Sequence, residues 1–323
     1  MRPTHRLLSR LLPLAVVLLS VTAQADPATL RIADQKGNMR AQLEAANALT
    51  GIDYRIQWSE FPAAAPLVEA LNASAVDAGI IGDAPLVFAL AAGAEVKAIA
   101  VDKSNPYGTA VIANGDSDIK TSADLAGKRI AVGRGSIGHL VALKALESAG
   151  LSAEDAELRF MGPVDARIAL ANGSVDAWGT WEPYTSYAEL VDGARVVAPG
   201  NGLVFGNSFV AATDAATDAA IADPVKRAAL QDYLARLQQA QIWSYQHIDE
   251  YARKLAQIIG FPEAVARQQY VRRELHWEAI DDTTREAQQK TANFYHRVGL
   301  IPEPLDVPQT FDTSFSLPAG DAR

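Results

Sequence analysis

The chain is 323 residues long, with 29 lysines and arginines, 38 aspartates and glutamates, and a formal net charge of −9. It has no cysteine, which excludes disulfides, thiol catalysis, thiolate metal sites and thiol redox chemistry. An acidic surface does not suit nucleic acid or anionic lipid, so any attraction for an anion must be local.

Residues 1–25 read as a secretory leader. Arg2, Arg6 and Arg10 give a positive start, residues 11–21 form an apolar run broken by Pro13 and Ser20, and Ala23-Gln24-Ala25 ends it with small residues. A membrane span needs roughly 20 apolar residues, so this run is a leader cleaved after Ala25. The mature chain would then hold 298 residues, with 26 basic and 38 acidic side chains and a net charge of −12. With no cysteine to acylate, it is expected free in the periplasm. That length can bury a large core without covalent staples.

From residue 30 onward the pattern alternates between strand and helix. Residues 30–33 read as a strand, 39–49 as a helix closed by Gly51, and 54–58 as an alternating strand. Residues 65–71 form a helix with Pro62 and Pro66 near its start, and 79–81 a strand. Residues 84–92 form a helix with Pro85 near its start and Gly93 at its end. Strands are expected at 96–100 and 107–113. A second unit opens near Ser122, with strands at 128–132, 158–160, 175–178 and 195–197 and helices at 139–149 and 163–172. Residues 209–212 look like a return strand. From Pro224 the pattern is nearly all helix, and from Pro302 it is proline-rich and irregular. This β-α-β order implies mainly parallel sheets covered by helices.

One pattern occurs twice. Asn72-Ala73-Ser74-Ala75-Val76-Asp77-Ala78 leads into Ile80-Ile81-Gly82-Asp83-Ala84-Pro85, and Asn172-Gly173-Ser174-Val175-Asp176-Ala177 leads into Trp178-Gly179-Thr180-Trp181-Glu182-Pro183-Tyr184. Each ends a helix, enters a strand at Asp-Ala and leaves through a proline-ended loop. The second copy places two indoles and a carboxylate where a strand ends, which is the composition of a small-molecule pocket.

Gly133-Arg134-Gly135-Ser136-Ile137-Gly138 follows a strand and opens a helix, matching dinucleotide-fingerprint spacing. No acidic residue ends a strand about twenty residues on, so the useful content is narrower: amides near Gly135 and Ser136 at a helix N-terminus can face an anion. His139 stands one turn in. A Ser136–His139 hydrolase pair lacks a G-x-S-x-G setting and a third group. Gln35 and Lys36 follow the first strand and could supply an amide and a cation, or simply form an exposed loop. Asp83 reads as a helix cap or as part of a second ligand-facing turn. His247, His276 and His296 lack metal spacing, and neither a metal nor a cofactor is expected.

Asp34-Gln35-Lys36-Gly37-Asn38, Gly82-Asp83-Ala84-Pro85, Gly133-Arg134-Gly135-Ser136 and residues 176–184 together resemble the set carried by periplasmic substrate-binding proteins of ABC importers. The nearest group is the aliphatic-sulfonate, nitrate and taurine binders, and the resemblance runs from about residue 30 to 302. It implies an α/β, two-lobed, type II-like binding-protein fold, each lobe a mainly parallel sheet, joined by two hinge strands. Residues 26–113 and 208–323 would form lobe one, and 114–207 lobe two. By the same resemblance Gln35 lies on the first lobe's rim, Gly82, Asp83 and Ala84 form its second ligand-facing turn, and Gly135, Ser136 and His139 form an oxyanion cradle. Trp181 and Glu182 resemble an aromatic wall and polar gate, with Trp178 a possible addition. Glu182 stands where the family often has Asp, and Ile137 where it often has a small polar residue. A longer carboxylate would suit a ligand amine.

The implied role is capture of a small anion, first an alkyl- or aminosulfonate and alternatively nitrate, for a permease with its ATPase, by a monomer that binds no nucleic acid. Desulfinases and thiamin-pyrimidine synthases resemble this architecture but rely on cysteine. A sensory partner that hands ligand to a membrane receptor is the third reading.

Overall fold

The computed structural model describes residues 27–214 and 219–318. The leader and the junction after Ala25 lie outside them. The elements run β1 (Thr29–Gln35), α1 (Asn38–Ala45), β2 (Arg55–Phe61), α2 (Ala64–Asn72), β3 (Ala78–Gly82), α3 (Asp83–Ala91), β4 (Val96–Lys103) and β5 (Ala110–Asn114). They continue through β6 (Arg129–Val132), α4 (Ile137–Ser148), β7 (Glu157–Phe160), α5 (Pro163–Ala171), β8 (Ala177–Thr180), α6 (Tyr184–Leu190), β9 (Ala194–Pro199) and β10 (Ser208–Thr213). The chain closes with α7 (Pro224–Gln246), α8 (Ile248–Ile259), α9 (Glu263–Arg273), β11 (His276–Glu278) and α10 (Asp282–Arg297).

Two sheets result, in the orders β11-β4-β10-β3-β1-β2 and β7-β6-β8-β5-β9. In the first, β1 pairs parallel with β2 and β3, while β10 inserts antiparallel between β3 and β4. In the second, β6 pairs parallel with β7 and β8, while β5 inserts antiparallel between β8 and β9. The two sheets therefore share one plan, apart from the added edge strand β11. Strands inside such sheets are covered on both faces and read as apolar runs. Ala78, Gly79, Ile80 and Ile81 of β3 are all buried, whereas the edge strand β2 is nowhere fully buried. Helices α2, α3 and α4 close the core, where Leu67, Leu86 and Val141 are fully buried. Each such side chain contributes about 1.5–3 kcal/mol.

The repeated Asp-Ala pattern has a structural cause. Asp77 accepts from the Arg31 amide at 2.8 Å and pairs with the Arg31 guanidinium at 2.5 Å. Asp176 accepts from the Arg129 amide at 2.8 Å and pairs with the Arg129 guanidinium at 2.7 Å. In each sheet one carboxylate ties the entry of one strand (β3, β8) to its parallel neighbour (β1, β6), fixing register through an amide and a guanidinium of the same arginine.

The structure departs from the sequence expectations at four places. The helix expected at 39–49 and closed by Gly51 ends at Ala45, and residues 46–51 form turns. The strand expected at 107–113 begins at Ala110, because Pro106–Gly108 forms a 3₁₀ turn capped by Asn105, whose side chain accepts from the Tyr107 amide at 3.1 Å. That strand pairs in the five-stranded sheet, not with residues 26–103. β11 interrupts the helical C-terminal region, and its Trp277 amide is fixed by the Gln241 side chain at 2.8 Å. α6, unread from sequence, follows the Trp181–Pro183 turn.

Candidate functional site

In α/β sheets, ligands bind beyond the carboxyl ends of the parallel strands. Five such strand-to-helix turns converge between the two sheets: β1–α1, β2–α2 (through Pro62 and Ala64), β3–α3, β6–α4 and β8–α6. They enclose a cavity of about 100 Å³. Gln35, Lys36, Gly82, Ser136, Ile137, Trp181 and Glu182 line it, with Asn105, Gly108 and Thr109 from the β4–β5 segment, Gly206 and Asn207 from the β9–β10 segment, and Arg273 at the end of α9.

At the β1–α1 turn the helix start is occupied by two acids. The Gly37 amide donates to Glu60 at 2.9 Å, and the Arg40 amide to Asp34 at 2.9 Å. Burial and then the Glu60 charge push the Asp34 carboxyl well above its usual range. Gln35 lines the cavity while its Nε2 donates to the Ile80 carbonyl at 2.7 Å. Lys36, at φ 54°, holds its Nζ 5.5 Å from the Tyr184 ring centre and 5.1 Å from that of Phe261. Burial lowers the Lys36 pKa, and Glu60 opposes the shift.

At the β3–α3 turn Gly82 and Pro85 reach the cavity. Asp83 and Ala84 are buried behind it. The Asp83 amide donates to the Asn207 carbonyl at 2.9 Å, the Ala84 amide to Asp83 Oδ1 at 2.7 Å, and Pro85 has no N–H. The expected ligand-facing turn has therefore spent its donors internally. Burial pushes the Asp83 carboxyl up to about 7.

The β6–α4 turn differs. Ser136 caps α4, its Oγ accepting from the His139 amide at 3.2 Å. A hydroxyl that accepts at the cap keeps its own proton to donate. Ile137 and Gly138 are the first two residues of the helix, so their amides have no intrahelical acceptor. His139 is not part of the lining: it is buried, and its Nδ1 accepts from the Gly135 amide at 3.3 Å. Burial and then Arg134 push His139 down to about 4, so it is neutral near pH 7. Gly135 also lies outside the lining, with its amide committed inward. Because Nδ1 faces the Gly135 amide, this contact does not make His139 a base for Ser136.

At the β8–α6 turn Trp181 lines the cavity and meets the Tyr184 ring edge-on at 5.7 Å, while Trp178 is buried in the core. The Glu182–Pro183 bond is cis. Glu182 Oε2 accepts from the Ser186 amide at 3.1 Å, and Oε1 accepts from Arg272 Nε. Burial raises the Glu182 pKa, opposed mainly by Arg272. The carboxylate expected to meet a ligand amine is thus already paired.

Three of the five helix starts, α1, α3 and α6, are held by the chain's own carboxyl groups; α4 is capped by a neutral serine, and α2, after Ala63, has no capping side chain. An added anion is best received on the side of α4 and α2, where dipole and amides favour it. Arg272, Arg273, Asn105 and Asn207 escaped the sequence reading, because their place at the cleft is set by long-range packing. Among the described residues no cluster of His, Asp and Glu could hold a metal, and no helix is long and apolar enough to cross a membrane.

Residues 38–268 match the family model described as "ABC transporter, phosphonate, periplasmic substrate-binding protein". A protein of Escherichia coli K12, named for binding aliphatic sulfonates, is 33% identical over 92% of both chains. The solved structure of the alkanesulfonate-binding protein SsuA from Xanthomonas axonopodis pv. citri, bound to MOPS, matches with a TM-score of 0.81 and 32% identity. It covers 89% of this chain and 99% of that one. The desulfurization enzyme DszB shares the fold alone, at 17% identity and a TM-score of 0.66, covering 89% of this chain and 97% of that one.

Proposed function

Since the chain belongs to the periplasmic substrate-binding proteins of ABC transporters, we propose that it captures a small organosulfonate between its two sheets and delivers it to an inner-membrane importer. One observation carries the ligand class: among the helix starts on the cavity, α4 is capped by a neutral hydroxyl and α2 by no side chain, whereas carboxyl groups hold α1, α3 and α6. The α4 amides and the Ser136 hydroxyl are donors, which suits a sulfonate, an anion with three acceptor oxygens and no proton to give. Trp181 supplies an apolar wall for the tail, and Lys36 and Arg273 supply positive charge.

The role is binding with closure, not chemistry. Each sheet with its helices acts as one lobe, and the chain crosses between them through residues 104–109 and 200–207. The exported form begins at Asp26, and intact-mass measurement of secreted protein checks that end.

Calorimetry on the mature chain tests the ligand class with ethanesulfonate, 2-aminoethanesulfonate, methylphosphonate, nitrate, sulfate and glutamate. Micromolar or tighter binding of a sulfonate is the expected result. Response to phosphonate or amino acid with none to sulfonate overturns the reading.

A further inference from the structure

We propose that Arg272 is a positioning residue that sets ligand selectivity: by holding Glu182, it makes the cleft prefer sulfonates with uncharged tails over aminosulfonates. This rests on the organosulfonate reading and extends it to the tail. Glu182 is the only acid among the described lining residues. It follows Trp181, the wall along which the tail would lie. Its carboxylate abuts Gly108, another lining residue, so closely that a Cβ on Gly108 would collide with it.

Both carboxylate oxygens are engaged, one by the Ser186 amide and one by Arg272. Arg272 comes from α9, a different element, and is itself pinned. Its Nη1 pairs with Glu189 at 2.6 Å and its Nη2 donates to Ser186 Oγ at 2.9 Å. The Tyr107 ring centre lies 5.4 Å from the guanidinium. Glu182 and Arg272 together present no net charge to the cavity, and the second carboxylate, Glu189, is more exposed than Glu182. With Lys36 and Arg273 also on the wall, an ammonium tail meets cations and no available carboxylate. Removing Arg272 leaves Glu182 without its cation, and an ammonium tail becomes its natural partner.

The test compares dissociation constants for propanesulfonate and 3-aminopropanesulfonate in wild type, Arg272→Met, Arg272→Lys, and Arg272→Met combined with Glu182→Gln. Wild type is expected to favour the uncharged tail. Arg272→Met is expected to move the ratio at least about tenfold toward the amine, Arg272→Lys to move it less, and the double variant to restore the preference. A purely structural Arg272 would weaken both ligands alike, and an unchanged ratio in Arg272→Met overturns the inference. So does failure of the double variant to restore it; if Arg272→Met does not fold, a smaller shift toward the amine in Arg272→Lys carries the test, and no shift there overturns the inference. If wild type binds neither sulfonate, the organosulfonate reading falls first and this inference with it.

Discussion

Phe88 of α3 and Gly135 of the β6–α4 turn meet across the cleft: a Cβ built on Gly135 would lie 2.6 Å from the Phe88 ring, and Gly135 has φ +68°. The Tyr295 hydroxyl reaches the neighbouring Ser136 carbonyl at 3.4 Å. The turn proposed as the anion cradle therefore seats against Phe88 and Tyr295, carried by α3 and α10 beside the other sheet. Gly135→Ala should hinder that seating twice. A left-handed backbone costs a non-glycine residue about 1–2 kcal/mol, and the methyl must displace the ring. Calorimetry should show affinity falling about tenfold or more, with a lower melting temperature. Adding Phe88→Ala should relieve the collision but not the backbone strain. Wild-type affinity in Gly135→Ala would show that the turn does not close against Phe88.

Ser136 caps α4 and is proposed to donate to the ligand, two roles that substitutions can separate. As the α4 cap, its loss costs about 1 kcal/mol of stability. As a donor to a charged oxygen, its loss costs about 1.5–3 kcal/mol of binding. Ser136→Ala should therefore lose both, with affinity falling roughly ten- to a hundredfold. Ser136→Asp keeps a good cap but places a carboxylate where the sulfonate would sit. It should melt near wild type and bind no sulfonate. A Ser136→Asp chain that still binds would place the anion elsewhere.

The sequence made the periodic features legible because they are local. β-α-β alternation, the helix ends at Gly93 and Gly150 and the repeated Asp-Ala strand entry survive in the structure, whereas α1 stops at Ala45, well before Gly51. The Asp-Ala entry has its reason in Arg31–Asp77 and Arg129–Asp176, which no spacing could have revealed. Of the residues singled out, Gln35, Gly82, Ser136, Trp181 and Glu182 line the cavity, whereas Asp83, Ala84, Gly135 and His139 stand behind it. The difference between Gly82 and Asp83, or Ser136 and Gly135, is one peptide turning inward, which depends on partners such as the Asn207 carbonyl and the His139 ring. Arg272 was invisible for a similar reason: ninety residues separate it from Glu182.

Asp83 should give the protein a pH dependence of defined sign. Burial raises its folded-state pKa from 3.8 to about 7, so between those values the native state holds a proton that the unfolded chain has lost. Stability from this group is fully present below about pH 4, declines as pH rises, and is gone above about 7. The upper bound on the loss is roughly 4 kcal/mol. Asp83→Asn should remove that loss, so its stability relative to wild type should improve from pH 5 to pH 8 in urea melts. Whatever the new amide costs in packing is the same at both values and cancels in the comparison. An equal difference at the two pH values would show that Asp83 stays ionised in the fold.

Trp181 should be felt through the ligand's tail and not its head. It lines the cavity at the β8–α6 turn, held edge-on against Tyr184, whereas the donors proposed for the anion belong to the β6–α4 turn. Truncation to alanine removes an apolar wall, and the cost of each methylene left against water is at most about 0.8 kcal/mol. Methanesulfonate should lose little affinity. Ethane-, propane- and butanesulfonate should lose progressively more, until the tail outgrows the cavity and the series flattens. If Trp181 only props up the fold, its removal would instead lower the ligand-free melting temperature and weaken every sulfonate by the same factor. A chain-length series on Trp181→Ala beside Ser136→Ala separates these cases, because Ser136 acts on the head group common to all. Parallel losses for both variants would take Trp181 out of the pocket.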